Sequence, residues 1–135
     1  MSIDLDALND RLGGMPRLLG IRFVEASPDR VVAELEMREE LETGGGRAHG
    51  GTLMAFAGTV GAVATVINLQ PGTWTTTLES KTNFISAADG LLRAEATPIH
   101  KGRRTQVWQT RVTDESDRLI SLTTQTQMVL EEPRR

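Results

Sequence analysis

Between Ala48 and Leu78 the chain carries no Asp, Glu, Lys or Arg. Inside that window, Thr52 to about Ile67 is apolar on every face, with Ala55, Gly58, Gly61, Ala62 and Thr65 as its small residues. A helix without a polar face has to be enclosed by protein, and small residues let a sheet come close to it. The continuous apolar part, Leu53 to Leu69, is interrupted by Gly58, Thr59, Gly61, Thr65 and Asn68. It is short for crossing roughly 30 Å of hydrocarbon, so it reads as a buried core helix that ends at Gln70-Pro71-Gly72.

Strands are available to enclose it. Ile21 to Ala26 reads as a strand, and in Val31–Met37 the odd positions are apolar while Glu34 and Glu36 face the other way, which is the period of two of a half-buried strand. Four more β-like runs follow the helix: Trp74 to Phe84, Leu91 to Ile99, Thr105 to Thr113, and Leu119 to Leu130. They are separated by the turn-like Ala88-Asp89-Gly90, Lys101-Gly102-Arg103 and Asp114-Glu115-Ser116-Asp117. In the last run Ile120, Leu122, Thr124, Thr126, Met128 and Leu130 share one face, and Ser121, Thr123, Gln125 and Gln127 the other.

The fold class is therefore α+β: an antiparallel sheet of five or six strands wrapped around a long central apolar helix. The chain reads as one domain over 1–135, with a short amphipathic helix in 1–14 (Leu5, Leu8 and Leu12 before Gly13-Gly14) and a frayed tail at 131–135. The outer face of the sheet is expected to carry the many Thr and Gln and to need a partner or water, so a dimer at least is expected.

A net charge of -3 argues against general nucleic-acid binding, and no membrane segment is expected. The absence of cysteine excludes disulfides and thiolate metal ligands. The opening Met1-Ser2-Ile3-Asp4-Leu5-Asp6 is acidic where a signal peptide would be basic, which makes the cytoplasm the default. There is no Gly-x-x-x-x-Gly-Lys, no Gly-x-Ser-x-Gly and no His-Glu-x-x-His, and metal dependence has no support.

The residues that point to chemistry precede the helix: Gly44-Gly45-Gly46-Arg47-Ala48-His49-Gly50-Gly51. A glycine-rich loop running into a helix N-terminus turns backbone N–H groups toward whatever lies in front, a polarising site for a carbonyl oxygen or a phosphate. Together with Thr77–Ile85, Ala88-Asp89-Gly90 and His100-Lys101-Gly102-Arg103-Arg104, this segment resembles the hotdog-fold acyl-CoA thioesterases, in the branch of the phenylacetate-pathway (PaaI-like) and 4-hydroxybenzoyl-CoA enzymes. The likeness covers nearly the whole chain.

The resemblance implies hydrolysis of a small or aromatic acyl-CoA to free acid and CoA. It implies no cofactor beyond the coenzyme A of the substrate, and a homodimer assembling to a homotetramer with the pantetheine arm in a groove between subunits. The Gly50 N–H, with Gly51, would hold the thioester carbonyl; His49 would orient the loop or bond the substrate; Thr77 matches the Ser/Thr that places the attacking water. Two positions depart from the pattern. The catalytic Asp or Glu falls at Gly58, nine residues after His49, and the Asn or Gln six residues before it falls at Thr43. Two readings follow: a hydrolase whose base comes from elsewhere, or an acyl-CoA-binding module that has lost it.

Glu79 is the candidate replacement base. In a regular strand it shares a face with Thr75, Thr77, Lys81 and Asn83, and a surface ion pair with Lys81 is its plain alternative. Thr59 could offer a hydroxyl beside the vacant position or bond back to the preceding turn. Phe56 is a packing residue that could also line the acyl pocket, and Asn83 is a candidate substrate contact. Lys101, Arg103 and Arg104 at their turn would suit the phosphates of coenzyme A.

Overall fold

A computed structural model describes residues 3–132. Its elements are α1 (Leu5–Asp10), α2 (Gly14–Leu19), β1 (Arg22–Ser27), β2 (Arg30–Glu36), a 3-10 turn (Glu39–Leu41), β3 (Glu42–Thr43), β4 (Arg47–Ala48), α3 (Gly50–Ile67), β5 (Thr73–Phe84), β6 (Leu91–Lys101), β7 (Thr105–Thr113) and β8 (Leu119–Glu131). Six strands form one antiparallel sheet in the order β1-β2-β6-β7-β8-β5. It wraps α3, giving the hotdog arrangement expected. The short β3–β4 pair stands apart from it.

Small residues set how close helix and sheet come. Ala33 pairs with Ala94 and Val31 with Ala96 in the β2–β6 register, and all four are fully buried. α3 lays Leu53, Phe56, Ala57, Val60 and Ala64 into this floor, which Phe23, Leu35, Leu92, Trp108, Val112 and Ile120 complete. Each large apolar side chain so buried contributes about 1.5–3 kcal/mol.

Enclosure is one-sided. The buried residues of α3 are Thr52, Leu53, Phe56, Ala57, Val60, Gly61, Ala64 and Thr65, a single stripe, while Met54 and Val66 on the other side are 40% and 56% exposed. The helix predicted to be enclosed on all faces is covered on one by its own chain.

A second expectation is reversed. On β8 it is Ser121, Thr123, Gln125 and Gln127 that are buried under the helix, and Leu122, Thr124, Thr126 and Met128 that face away. Ile120 is buried as well, because a bulge between Val112 and Thr113 puts two successive residues inside. Within the polar row the Gln125 amide nitrogen is bonded to Gln127 and to α3, while the Gln125 Oε1 and the Ser121 hydroxyl have no partner among the described residues.

α2 is not evident from the sequence, because Gly13, Gly14 and Pro16 look like breakers; Pro16 falls in its first turn, where a missing N–H costs nothing. At the other end, Glu131 closes β8 and the Glu132 N–H donates to the Gly72 carbonyl, so the expected fraying does not begin there. The rest of that tail, 133–135, lies outside the described residues.

Candidate functional site

The glycine run preceding α3 is a tight hairpin. Gly45 and Gly46 have φ of 99° and 76°, a left-handed backbone that favours glycine, and they connect β3 to β4. The turn into α3 is pinned from below: the Leu41 carbonyl accepts both the His49 N–H (3.0 Å) and the Thr52 hydroxyl (2.9 Å), and the Ala48 N–H donates to the Ala88 carbonyl.

His49 is the N-cap of α3, its Nδ1 accepting the Gly51 N–H at 2.8 Å. In the neutral ring this leaves the proton on Nε2. The Thr52 and Leu53 N–H groups both donate to the His49 carbonyl. Of the four donors at this helix end, Gly50 N–H alone has no partner among the described residues. Gly51, expected to share the carbonyl, is already engaged by the histidine.

Gly50 opens onto a cavity of about 320 Å³ lined also by Thr43, Arg47, Ala48, Leu53, Phe84 and Ile85. Thr43 thus stands on the same cavity as the turn into α3. A Cβ at Gly50 would lie 3.2 Å from the Phe84 ring, so a side chain there would press on that ring. Phe84, 53% exposed, is a wall of the site that sequence reasoning did not single out.

Gly58 lies about 12 Å further along the helix axis. A Cβ added there would meet nothing within 4 Å, so the position is open as well as vacant. Its carbonyl accepts Gln125 Nε2 (3.2 Å), which also donates to Gln127 Oε1 (3.0 Å). Gln127 Oε1 in turn accepts the Thr77 hydroxyl at 2.6 Å, and Gln127 Nε2 donates to the Thr75 hydroxyl at 3.1 Å. Thr77 and Gly58 are therefore joined through two buried glutamines. With its proton committed to Gln127, Thr77 offers a water only lone pairs: it can orient a water but not deprotonate it.

Glu79 does not join this group. The register runs Thr77↔Gln127 and then Glu79↔Thr126, so Leu78 is bulged out and the strand changes face. Glu79 lands on the sheet face away from α3 with Lys81 and Asn83, opposite Thr126, Thr124 and Leu122. Its carboxylate accepts the Thr126 hydroxyl at 2.6 Å, and the ion pair with Lys81 is not formed. The shared face assumed a regular strand, and the bulge separates Glu79, Lys81 and Asn83 from Thr75 and Thr77. Thr59 takes its plain reading, donating to the Ala55 carbonyl at 2.7 Å. Phe56 is fully buried in the core and so does not face the open cavity at Gly50.

The basic turn lies at the opposite end of α3, about 27 Å from Gly50. Lys101 is paired with Asp29 at 2.6 Å, while Arg103 and Arg104 are exposed and form no ion pair among the described residues. The three border an open cavity of about 880 Å³ that also touches Asn68, Gln106 and Leu130. Among the described residues no cluster of His, Asp and Glu could hold a metal ion. The two groups whose pKa clearly departs from its usual value, Arg30 (up, chiefly from the hydrogen bond to Glu95) and Asp114 (down, chiefly from the Arg118 N–H), lie in neither cavity nor in the glutamine chain.

A sheet-wrapped helix whose capped N-terminus presents one free N–H to a cavity defines a class, and a sequence profile of the thioesterase superfamily matches residues 45–121. The chain belongs to that superfamily. It is similar to the 1,4-dihydroxy-2-naphthoyl-CoA hydrolases of Escherichia coli K12 (34% identity, covering 87% of this chain and 88% of that protein) and Listeria monocytogenes (29%, 81% and 89%). Its fold matches the crystal structure of a thioesterase from Haemophilus influenzae with a TM-score of 0.93 at 27% identity, over 100% of this chain and 96% of that one.

Proposed function

We propose that this chain is an acyl-CoA thioester hydrolase in which the Gly50 N–H polarises the carbonyl and no carboxylate stands at the family's helix position. The free Gly50 N–H, opening on a cavity walled by Leu53, Phe84 and Ile85, carries the reading. Those walls suit a small or aromatic acyl group. A donor aimed at a developing oxyanion is worth about 10²–10³-fold in acyl transfer, so the turn can support slow hydrolysis by itself. The relatives named above as CoA hydrolases support the reaction class.

The roughly 12 Å between Gly50 and the Gly58–Thr77 group is too long for one carbonyl to touch both, so the complete site uses two copies of the chain. β5 is an edge strand of 12 residues with Leu78 exposed at its bulge, Met54 and Val66 are exposed on the open face of α3, and a second copy is the proposed cover. A homodimer, pairing further to a homotetramer in the cytoplasm, is the assembly proposed, with Arg103 and Arg104 taking the phosphates of coenzyme A. The space at Gly58 supports a second reading, a module that binds acyl-CoA and hardly turns it over.

A hydrolysis assay over short, medium and aromatic acyl-CoAs, with mass by light scattering on the same sample, tests this. Turnover of at least one thioester is expected, slowed in His49→Ala and Thr77→Ala, at a mass that is a multiple of 14.7 kDa. His49→Asn keeps a cap acceptor and separates loss of the ring from the roughly 1 kcal/mol of a lost cap. Calorimetric binding of CoA thioesters without turnover selects the second reading. Neither binding nor turnover removes both, and a monomer removes the two-copy site.

A further inference from the structure

We infer that Gln106 is a specificity residue: its amide nitrogen is the inner donor of the basic cavity and selects ligands that bring a phosphate oxygen there. The inference rests on the function proposed above and assigns a residue that the arginines at the rim do not suggest.

Gln106 is only 3% exposed, yet it lines the cavity bordered by Lys101, Arg103 and Arg104. Its orientation is fixed by its neighbour two residues on. The indole N–H of Trp108, itself fully buried, donates to Gln106 Oε1 at 2.9 Å. Tryptophan can only donate, so the atom facing it has to be the amide oxygen, and the NH₂ group is turned the other way. That NH₂ has no protein partner among the described residues, and it is not one of the side-chain atoms sealed away from solvent without a bond. A nearly buried donor left free at a cavity wall is costly unless something takes its hydrogen bonds.

The charges around it define that partner. Arg103 and Arg104 carry uncompensated charge at the rim, Lys101 is neutralised by Asp29, and Glu131 is the one carboxylate on the lining among the described residues. Two free guanidinium groups above a fixed neutral donor suit a phosphate, with the arginines supplying attraction and Gln106 a directional bond. The apolar part of the lining, Leu69, Met128 and Leu130, leaves room for the body of a nucleotide beside it.

Two variants separate this from a packing role. Gln106→Glu keeps an oxygen for Trp108, so the fold is retained, but replaces the donor with a carboxyl group. Gln106→Met keeps the volume and removes all polarity. Binding by calorimetry is measured for coenzyme A and for pantetheine, which lacks the nucleotide and its phosphates, with a thermal melt of each variant.

Both variants are expected to lose affinity for coenzyme A by about 10- to 100-fold, the worth of one hydrogen bond to a charged group, and to bind pantetheine as the wild type does. Wild-type affinity for coenzyme A in Gln106→Glu overturns the inference, as does an equal loss for both ligands in the two variants. A wild type that binds neither ligand removes the proposed function itself. One that prefers coenzyme A while the variants do too removes only the role of Gln106.

Discussion

Replacing Gly58 with Asp is expected to raise kcat/KM for acyl-CoA hydrolysis by about 10²–10⁴-fold, the usual contribution of a positioned general base. Gly58 is the position at which the resemblance leads one to expect a carboxylate, and a side chain built on it meets nothing within 4 Å. Its backbone lies outside the left-handed region, so an L-residue fits without strain. The surroundings are already polar: Gln125 holds the Gly58 carbonyl, and the chain through Gln127 fixes the Thr77 hydroxyl as an acceptor for water. A water held there would lack a group to take its proton, and the introduced carboxylate would supply one. A folded, dimeric Gly58→Asp protein gaining less than about tenfold, well under the usual worth of a base, would show that a base already acts from elsewhere.

One turn further along the helix the same kind of residue has the opposite role. A Cβ at Gly61 would lie 2.2 Å from Gln125 Oε1 and 2.4 Å from its Cδ. Gln125 is 1% exposed and its nitrogen is bonded to both Gly58 and Gln127, so making way for that Cβ breaks the glutamine chain. Gly61→Ala is therefore expected to destabilise the fold by about 1–3 kcal/mol through overpacking. The roughly 0.5–1 kcal/mol that removing a helical glycine returns offsets only part of that cost. Gly58→Ala, with open space around it, collects the return without the cost. Chemical denaturation of the pair measures both. Equal stabilities would mean that Gln125 yields freely and that its chain does not hold β8 to the helix.

The difference between these two glycines was not legible in the sequence, where both read as small residues easing helix–sheet contact. Their roles depend on Gln125 pointing inward. The alternation of β8 was plain, with Gln125 and Gln127 on one face and Met128 and Leu130 on the other. Composition favoured placing the amides outward, and the network that holds Gln125 and Gln127 inward is non-local. For Glu79, alternation gave the wrong face, because one bulged residue, Leu78, reverses everything after it, and no single-strand pattern reveals a bulge set by the partner's register. The places of His49, Gly50 and Gly58 were legible, the first as the cap and the others along α3, because they follow from position on one helix. That Gly51 is engaged by the histidine ring, leaving a single free donor, required the geometry of the cap. Gln106 was hidden for a similar reason: only the indole of Trp108 determines which end of its amide meets the cavity.

The central claim is that a thioester carbonyl sits on the Gly50 N–H and is polarised by it. It can be tested in the bound state, before any chemistry, by the carbonyl stretching frequency of an aromatic acyl-CoA isotope-labelled at that carbon. On binding the wild-type protein, the stretch is expected to move to lower frequency than in free solution, and to move equally in Thr77→Ala, which leaves the turn intact. A thioester that is fully bound by calorimetry yet keeps its solution frequency would contradict the account.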